Sequence, residues 1–129
     1  GQPDTGAARR QIFGGKPVAE PSLKVEIWIK AQVRMCDINM TPAYIRRRGD
    51  PDAGAVLLKL DKLDGTSEVF TQVRTGSGEK AWTSGTGGAA VADGEAEAYN
   101  ERQLKYGPDI WVLEIEDRNG TYKLDGAVV

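Results

Sequence analysis

The sequence contains no histidine and only one cysteine, Cys36. Without imidazole, Ser-His-Asp and Cys-His catalysis are excluded, together with every metal site that needs a histidine ligand. A single cysteine forms neither a disulfide within the chain nor a thiolate zinc cluster, and it fits a reducing cytoplasm. These absences predict a protein without a cofactor and favour a non-enzymatic role.

A strong charge of one sign is also lacking, because 17 Lys and Arg residues balance 19 Asp and Glu residues to a net charge of −2. This balance favours neither nucleic acid nor an anionic membrane as a partner. The apolar runs are too short to span a bilayer, and the chain opens without a signal-peptide pattern. We therefore predict a cytoplasmic protein with no nucleic-acid or membrane partner.

The 129 residues suffice for one domain with its own core. Residues 1–21 are rich in Gly, Pro, Ala and Gln without a sustained period, which predicts a flexible N-terminal arm. Residues 22–129 are predicted to form a single domain, as a monomer or a homodimer.

Residues 22–36 fit two patterns. Alternate positions from Leu23 to Met35 are apolar, as in a strand, but a stripe at helical spacing is also present. Ser22 is a candidate N-cap, and the length is typical of a helix rather than a strand. We predict a helix with an inner face formed by Val25, Trp28, Ile29, Gln32, Val33 and Cys36.

Strand patterns follow at residues 43–48, 55–61, 67–73, 80–83 and 110–117. A second helix is predicted between an Asp93 N-cap and Gly107, with its inner face at Ala92, Ala96, Tyr99, Gln103 and Tyr106. Asn119-Gly120 predicts a hairpin that returns as an edge strand at residues 121–124. This order predicts an α+β domain with two helices packed on a mainly antiparallel, hairpin-rich sheet.

The most concentrated charge pattern lies in residues 44–58, which are predicted to form a strand, a tight turn and a second strand. Gly49 and Gly54 bracket the turn, where glycine takes positive φ easily. Arg46 and Arg48 are expected on one strand face as forks for a phosphate or carboxylate. Asp50 and Asp52 complete this candidate contact set; the alternative is a solvated, self-neutralising hairpin turn.

A second candidate cluster comprises Asp109, Glu116 and Arg118. Glu114 and Glu116 are expected to share one strand face, and a Mg²⁺ site can be built from such carboxylates. The other interpretation is a solvated strand face with a cross-strand partner such as Lys123.

We therefore hypothesise a small non-enzymatic binding or adaptor protein with a protein partner, contacted through the Arg/Asp-rich turn. One alternative is a carboxylate-metal-dependent hydrolase of a phosphate ester that uses Glu114 and Glu116. Another is an accessory structural subunit of a larger complex, whose N-terminal arm orders on its partner.

Several separated blocks form one further pattern: EIWIKA at 26–31 with Arg34, RRGDPDAGAV at 47–56, Tyr99 with ERQ at 101–103, and PDIWVLEIEDR at 108–118. Together they resemble the alphaproteobacterial family called domain of unknown function 1491, over residues 23–124. The N-terminal arm is longer than that family's pattern, and Gly107 stands where the family tends to have Asp. The resemblance implies a taxonomic group and a cytoplasmic setting, but no mechanism.

Overall fold

A computed structural model describes residues 24–74 and 80–129, so the predicted flexible arm and the Ser22 cap lie outside the described residues. Two helices and seven strands occur within those ranges. In chain order they are α1 (Val25–Ile38), β1 (Ala43–Arg47), β2 (Val56–Asp61), β3 (Thr66–Arg74), β4 (Lys80–Ser84), β5 (Val91–Ala92), α2 (Asp93–Leu104), β6 (Trp111–Glu116) and β7 (Ala127–Val128).

The strands form one open sheet in the order β1-β6-β2-β3-β4-β7, and β5 pairs with β3. The β2–β6 and β4–β7 pairs are parallel, and the other pairs are antiparallel. With α1 and α2 packed against it, this sheet makes a single α+β domain, which confirms the predicted fold class. Neither helix in the described ranges is long and apolar enough to cross a membrane.

The core lies on both faces of the sheet. On one face, α1 buries Trp28 and Ile29 against Leu58 and Leu113 of the central strands. On the other face, α2 buries Ala96 beside Val112 and its neighbours. Because helices cover both faces, β2 and β6 have almost continuously buried side chains. The predicted α1 helix and its inner stripe are confirmed, and all three tryptophans are buried.

The predicted hairpin between β1 and β2 is wrong, because β6 lies between these two strands. Gly49 and Gly54 have no positive φ; instead, the loop between them crosses the start of β6. A Cβ atom on Gly49 or Gly54 would lie 2.2 or 2.3 Å from the carbonyl oxygen of Asp109. These glycines are needed for close backbone approach rather than for turn conformation.

The predicted return strand at residues 121–124 is also wrong. The Asp117 carboxylate accepts hydrogen bonds from the N–H groups of Thr121 and Tyr122, each at 2.9 Å. These bonds turn the chain away from β6, and the indole N–H of Trp82 holds the Asp125 carbonyl at 2.9 Å. The chain then ends on β7, beside β4 rather than β6.

The predicted α2 helix exists, but its ends and inner face differ. Ala92 is the N-cap and makes no side-chain cap bond, whereas Asp93 is the first helical residue. Tyr106 lies beyond the helix and is 87% exposed, so it does not belong to the inner face. Asn100 is buried there instead.

Candidate functional site

The two predicted forks, Arg46 and Arg48, lie on opposite faces of the sheet. The register of β1 against β6 shifts between Ile45 and Arg47, and such a bulge turns the following side chains onto the other face. Arg46 consequently points toward α2 and Arg48 toward α1. The expectation of a joint fork is wrong because regular alternation does not allow for the inserted residue.

The side chains of the Arg/Asp turn have partners within the chain. The Arg48 guanidinium pairs with Glu26 of α1 and lies 5.1 Å from the centre of the Trp111 ring. Asp50 Oδ1 accepts the N–H of Asp52 at 2.8 Å, and the backbone donors of the turn lower the pKa of Asp50. Arg48 and Asp50 are therefore engaged by partners within the chain, which leaves fewer charged groups of the turn for a ligand.

The members of the second predicted cluster, Asp109, Glu116 and Arg118, lie at opposite ends of β6. Asp109 precedes the strand, and its carbonyl oxygen accepts the N–H of Asp50 at 3.1 Å. Glu116 and Arg118 lie at the other end, where they border one groove. Six extended residues separate the two ends by about 20 Å, so Asp109 belongs with the Arg/Asp turn and not with Glu116.

A buried charge cluster lies between α2 and the sheet. The Lys59 Nζ atom is 2.8 Å from the Asp93 carboxylate and 3.8 Å from that of Glu114, and it also pairs with Glu97. Arg46 completes the Lys59 cluster by pairing with Glu114 and approaching Glu97 at 3.6 Å. The Lys59 side chain is only 3% exposed. A buried ammonium requires compensating charge, so the cluster fixes α2 on the sheet.

The pKa values in the Lys59 cluster follow from this pairing. Burial alone would lower the pKa of Lys59, but its hydrogen bonds to Asp93 and Glu97 raise the pKa above the ordinary value. The same ammonium, with help from Ser67, lowers the pKa of Asp93. Lys59 and Asp93 are therefore both charged at neutral pH.

The structure does not place Glu114, one of the two carboxylates considered for a metal site, on a solvated strand face. Glu114 is buried and paired with Arg46 and Lys59, so its predicted position on a solvated face is wrong. Across residues 24–74 and 80–129, no group of three or more carboxylate, thiol or imidazole side chains is placed to hold a metal ion.

The turn after α1 presents a large apolar side chain from a strained backbone. Met40 has a φ of 58° and is 90% exposed. Its N–H donates to the Asp37 carbonyl at 3.0 Å, and the N–H of Thr41 donates to the Cys36 carbonyl at 2.7 Å. This is a Schellman cap, whose left-handed position is usually glycine or asparagine. A side chain there costs about 1–2 kcal/mol, and such strain concentrates at functional sites.

Two grooves meet at Met40. One, of about 620 Å³, runs between α1 and β1, and the other, of about 210 Å³, lies at the end of β6. Leu63, with a φ of 61°, lines the second groove and is the other non-glycine residue of positive φ in the described part of the chain. Both strained positions therefore border one continuous area. This Met40 surface comprises Lys30, Arg34, Met40, Pro42, Tyr44, Leu63, Glu116 and Arg118.

The open edge of β1 runs beside the Met40 surface. β1 has β6 as its one neighbour in the sheet of described strands. The Pro42 carbonyl accepts the N–H of Glu116 at 2.9 Å, so the alternate residues Ala43 and Ile45 direct their N–H and C=O groups away from β6. Such an edge is a template for an added strand.

Sequence reasoning identified neither Met40 nor the interior position of Asn100. Asparagine sometimes takes the left-handed position at a helix C-terminus, so the sequence favours Asn39 for that role over the neighbouring Met40. Asn100 does follow Ala96 at helical spacing, and this period was the available signal. Its polarity argued against an inner position.

A family model described as "Protein of unknown function (DUF1491)" matches residues 23–125. The crystal structure of a DUF1491 family protein from Caulobacter crescentus is 37% identical with a TM-score of 0.74, and the match covers 84% of this chain and 100% of that chain. An NMR structure of a DUF1491 family protein from the same organism is 37% identical, with a TM-score of 0.70, covering 83% of this chain and 96% of that chain.

A third solved structure, protein Atu0922 from A. tumefaciens, is 24% identical with a TM-score of 0.64. The match covers 74% of this chain and 86% of that chain, and at this identity it shows a shared fold alone. No curated protein matches the chain.

Proposed function

The chain belongs to the DUF1491 family, a family of unknown function, and we propose that it is a protein-binding module whose Met40 surface captures an extended segment of a partner protein. The observation that carries this proposal is Met40 itself. A large apolar side chain is held in a costly left-handed conformation and left 90% exposed. Strain of this kind persists where the surrounding structure enforces it, and it clusters at ligand-contacting sites.

The open edge of β1 supports an extended partner segment rather than a helix. The outward backbone groups of Ala43 and Ile45 supply main-chain hydrogen bonds, and the flanking grooves supply places for alternate side chains. Met40 lies where the two grooves join. Methionine adapts its shape to different apolar partners, which suits an anchor on a binding surface.

The charges along the larger groove indicate the composition of that segment. Lys30 and Arg34 line it on the α1 side, with Asp37 as the acidic exception. Lys30 forms an exposed ion pair of 3.6 Å with Glu26, and exposed pairs of this kind are weak. We therefore propose a partner segment with an apolar residue for the Met40 junction and an acidic residue that faces Arg34.

Replacing Met40 with glycine separates binding from stability. Met40→Gly removes the apolar anchor and the positive-φ cost together, so we expect unfolding free energy to rise by about 1 kcal/mol. Partner affinity should fall about 30-fold, as for the loss of an interface hot spot. Urea unfolding measures the first effect, and purification of tagged protein from its native cells with quantitative mass spectrometry measures the second.

Tyr106→Ser is the matched control, because Tyr106 is also a large side chain and is 87% exposed but lies beyond α2. It should retain every stoichiometric partner of the wild type. If Met40→Gly retains the same partners in the same amounts, the Met40 surface is not the binding site.

Blocking the edge of β1 tests the extended geometry. Ala43→Pro deletes an N–H that points away from β6, so the β1–β6 ladder stays intact while an added strand loses a hydrogen bond. We expect at least tenfold weaker partner binding, measured by titrating the purified partner into both proteins. A partner that binds Ala43→Pro as tightly as the wild type uses the grooves without pairing to β1.

A further inference from the structure

The outer face of α1 carries a row of apolar side chains that the core does not use. Ile27, Met35 and Ile38 are 53%, 54% and 67% exposed. Ala31 lies between them and is exposed as well. The spacing i, i+4, i+8 and i+11 places these four residues, here called the α1 stripe, along one side of the helix. They account for the strand-like apolar alternation of this segment, because the inner face of α1 uses only the other members of that series.

The α1 stripe is more than a scatter of surface hydrophobics. Of the nine large apolar side chains that are exposed in the described ranges, three belong to the stripe, and Met40 follows two residues after Ile38. Contiguous apolar surface of this kind marks an interaction site. The face is a convex helix surface, and the small Ala31 in its middle allows a close approach, so a second helix is the shape that fits it.

A row of charges runs beside the α1 stripe. The row reads acid, base, base, acid, and each member precedes a stripe residue by one position: Glu26, Lys30, Arg34 and Asp37. Lys30 and Glu26 form an exposed ion pair of 3.6 Å, and such pairs are weak. Arg34 and Asp37 form no ion pair within the described residues. The row therefore retains charges for a partner, and its order is the same from either end.

An antiparallel second copy brings opposite charges of the two rows together. In a two-fold symmetric pair, the same flank of each helix faces its counterpart. With a rise of about 1.5 Å per residue, a two-fold axis beside residues 34 and 35 sets Ile38 level with the partner's Ala31. The same alignment sets Asp37 about 3 Å along the helix axis from both Lys30 and Arg34 of the partner subunit.

We propose that a second copy of this chain covers the α1 stripe, in a two-fold antiparallel helix pair in which each Asp37 lies between Lys30 and Arg34 of the partner subunit. Burial of the stripe supplies the affinity. The ion pairs are exposed, so they set direction and register more than affinity. The two copies of Arg34 approach each other at the axis, and the two Asp37 carboxylates offset their repulsion.

The pairing has a consequence for the Met40 surface. Lys30 and Arg34 belong to that surface and also to the charged row beside the α1 stripe. Dimerisation therefore competes with capture of a partner segment and leaves the monomer as the capturing form. This consequence rests on the proposed function, whereas the dimer itself does not.

The mass of the full chain in solution tests the proposal. Size-exclusion chromatography with light scattering, at increasing protein concentration, should show a mass that rises toward twice the chain mass of 14.0 kDa. Met35→Glu places a carboxylate in the middle of the stripe and should weaken association at least about tenfold. Val128→Glu is the matched control, because Val128 is 56% exposed but lies on β7; it should associate like the wild type.

A charge exchange tests the antiparallel register. Asp37→Lys sets the introduced lysine against two partner cations, and Lys30→Glu/Arg34→Glu sets Asp37 against two partner carboxylates, so each variant alone should associate at least about tenfold more weakly. Mixed together, the two variants should form heterodimers as stable as the wild-type dimer, detected by native mass spectrometry. All three positions are exposed, and urea unfolding checks that each variant is folded.

Three results would overturn the proposal. A wild type that stays monomeric at every concentration would assign the α1 stripe to a different protein. A Met35→Glu variant that associates like the wild type would place the dimer on another face, and a mixture without heterodimers would exclude the antiparallel pair. The proposed function is tested separately, since a monomeric wild type that loses its partners in Met40→Gly would keep that function and lose only the dimer.

Discussion

Lys59→Met should lower the free energy of unfolding by about 3 kcal/mol at pH 7, because it leaves the carboxylates of Asp93, Glu97 and Glu114 with Arg46 as their one cation. Removing one member of a buried ion pair typically costs about 3–5 kcal/mol. The lower value applies here, since Asp93 and Glu97 keep side-chain exposures of 47% and 35%. Methionine preserves most of the lysine stem, so the loss reports on charge rather than on packing. Urea unfolding followed by tryptophan fluorescence measures it.

Lys123→Met is the matched control for this variant. Lys123 is exposed, and no ion pair holds it within the described residues. Surface substitutions of this kind change stability by less than about 0.5 kcal/mol. A similar loss in both variants would contradict the assignment of a stabilising role to the Lys59 cluster.

The pH dependence distinguishes lost charge compensation from lost packing. In the wild type the pKa of Asp93 is lowered by Lys59, so its contribution is present above its unfolded pKa and is lost as the pH falls through the folded pKa. In Lys59→Met the Asp93 carboxyl no longer has the ammonium that lowers its pKa, so the variant loses less stability than the wild type as the pH falls. The difference between the two proteins should therefore shrink between pH 7 and about pH 4. A constant difference would indicate packing.

Gly49→Ala should destabilise the protein by about 3 kcal/mol or more. The added Cβ would lie 2.2 Å from the carbonyl oxygen of Asp109 and 2.7 Å from the carbonyl carbons of Asp109 and Ile110. All three atoms are backbone atoms of the two residues just before β6, so neither a side-chain rotation nor a small local shift relieves the clash. Overpacking a tight site typically costs about 1–3 kcal/mol, and more where the backbone must move. Thermal and urea unfolding measure the loss.

Gly94→Ala supplies the opposite control. Gly94 lies in the first turn of α2, and a Cβ there meets nothing within 4 Å. Alanine lowers the conformational entropy of the unfolded chain and favours the helix, so this variant should gain about 0.5–1 kcal/mol. If Gly49→Ala were instead neutral, the loop would be free to leave β6, and its contact with Asp109 would not be a constraint on the fold.

The elements of secondary structure were predictable because their signals are local. The spacing of Trp28, Ile29 and Cys36 specifies a helix whose inner face is the observed one. The alternation in β2 and β6 assigned side chains to the correct faces, as the two packed clusters show. Blocks spread over most of the chain also sufficed to recognise the family. Each of these features depends on residues close together in sequence or on their order.

The arrangement of the candidate sites was not predictable, because it depends on contacts between distant segments. The strand pattern correctly placed Lys59 and Leu58 on opposite faces of the sheet. Only the packing of α2 against the sheet buries Lys59 and gives it three carboxylate neighbours. Arg46 and Arg48 were assigned to one face because a single inserted residue in β1 leaves no mark on the apolar pattern.

The sequence by itself determined the fold class, the two helices and most of the strands, because periodicity and turn chemistry act over a few residues. It also determined the family, because the residue blocks that identify it are visible in the sequence. Only the tertiary structure decided that β6 separates β1 from β2, that the edge of β1 is open and that Met40 stands exposed beside it. Strand order is set by which strand can be buried on both faces, and β6 is covered by α1 on one face and α2 on the other. That is a property of the assembled layers, and no single segment encodes it.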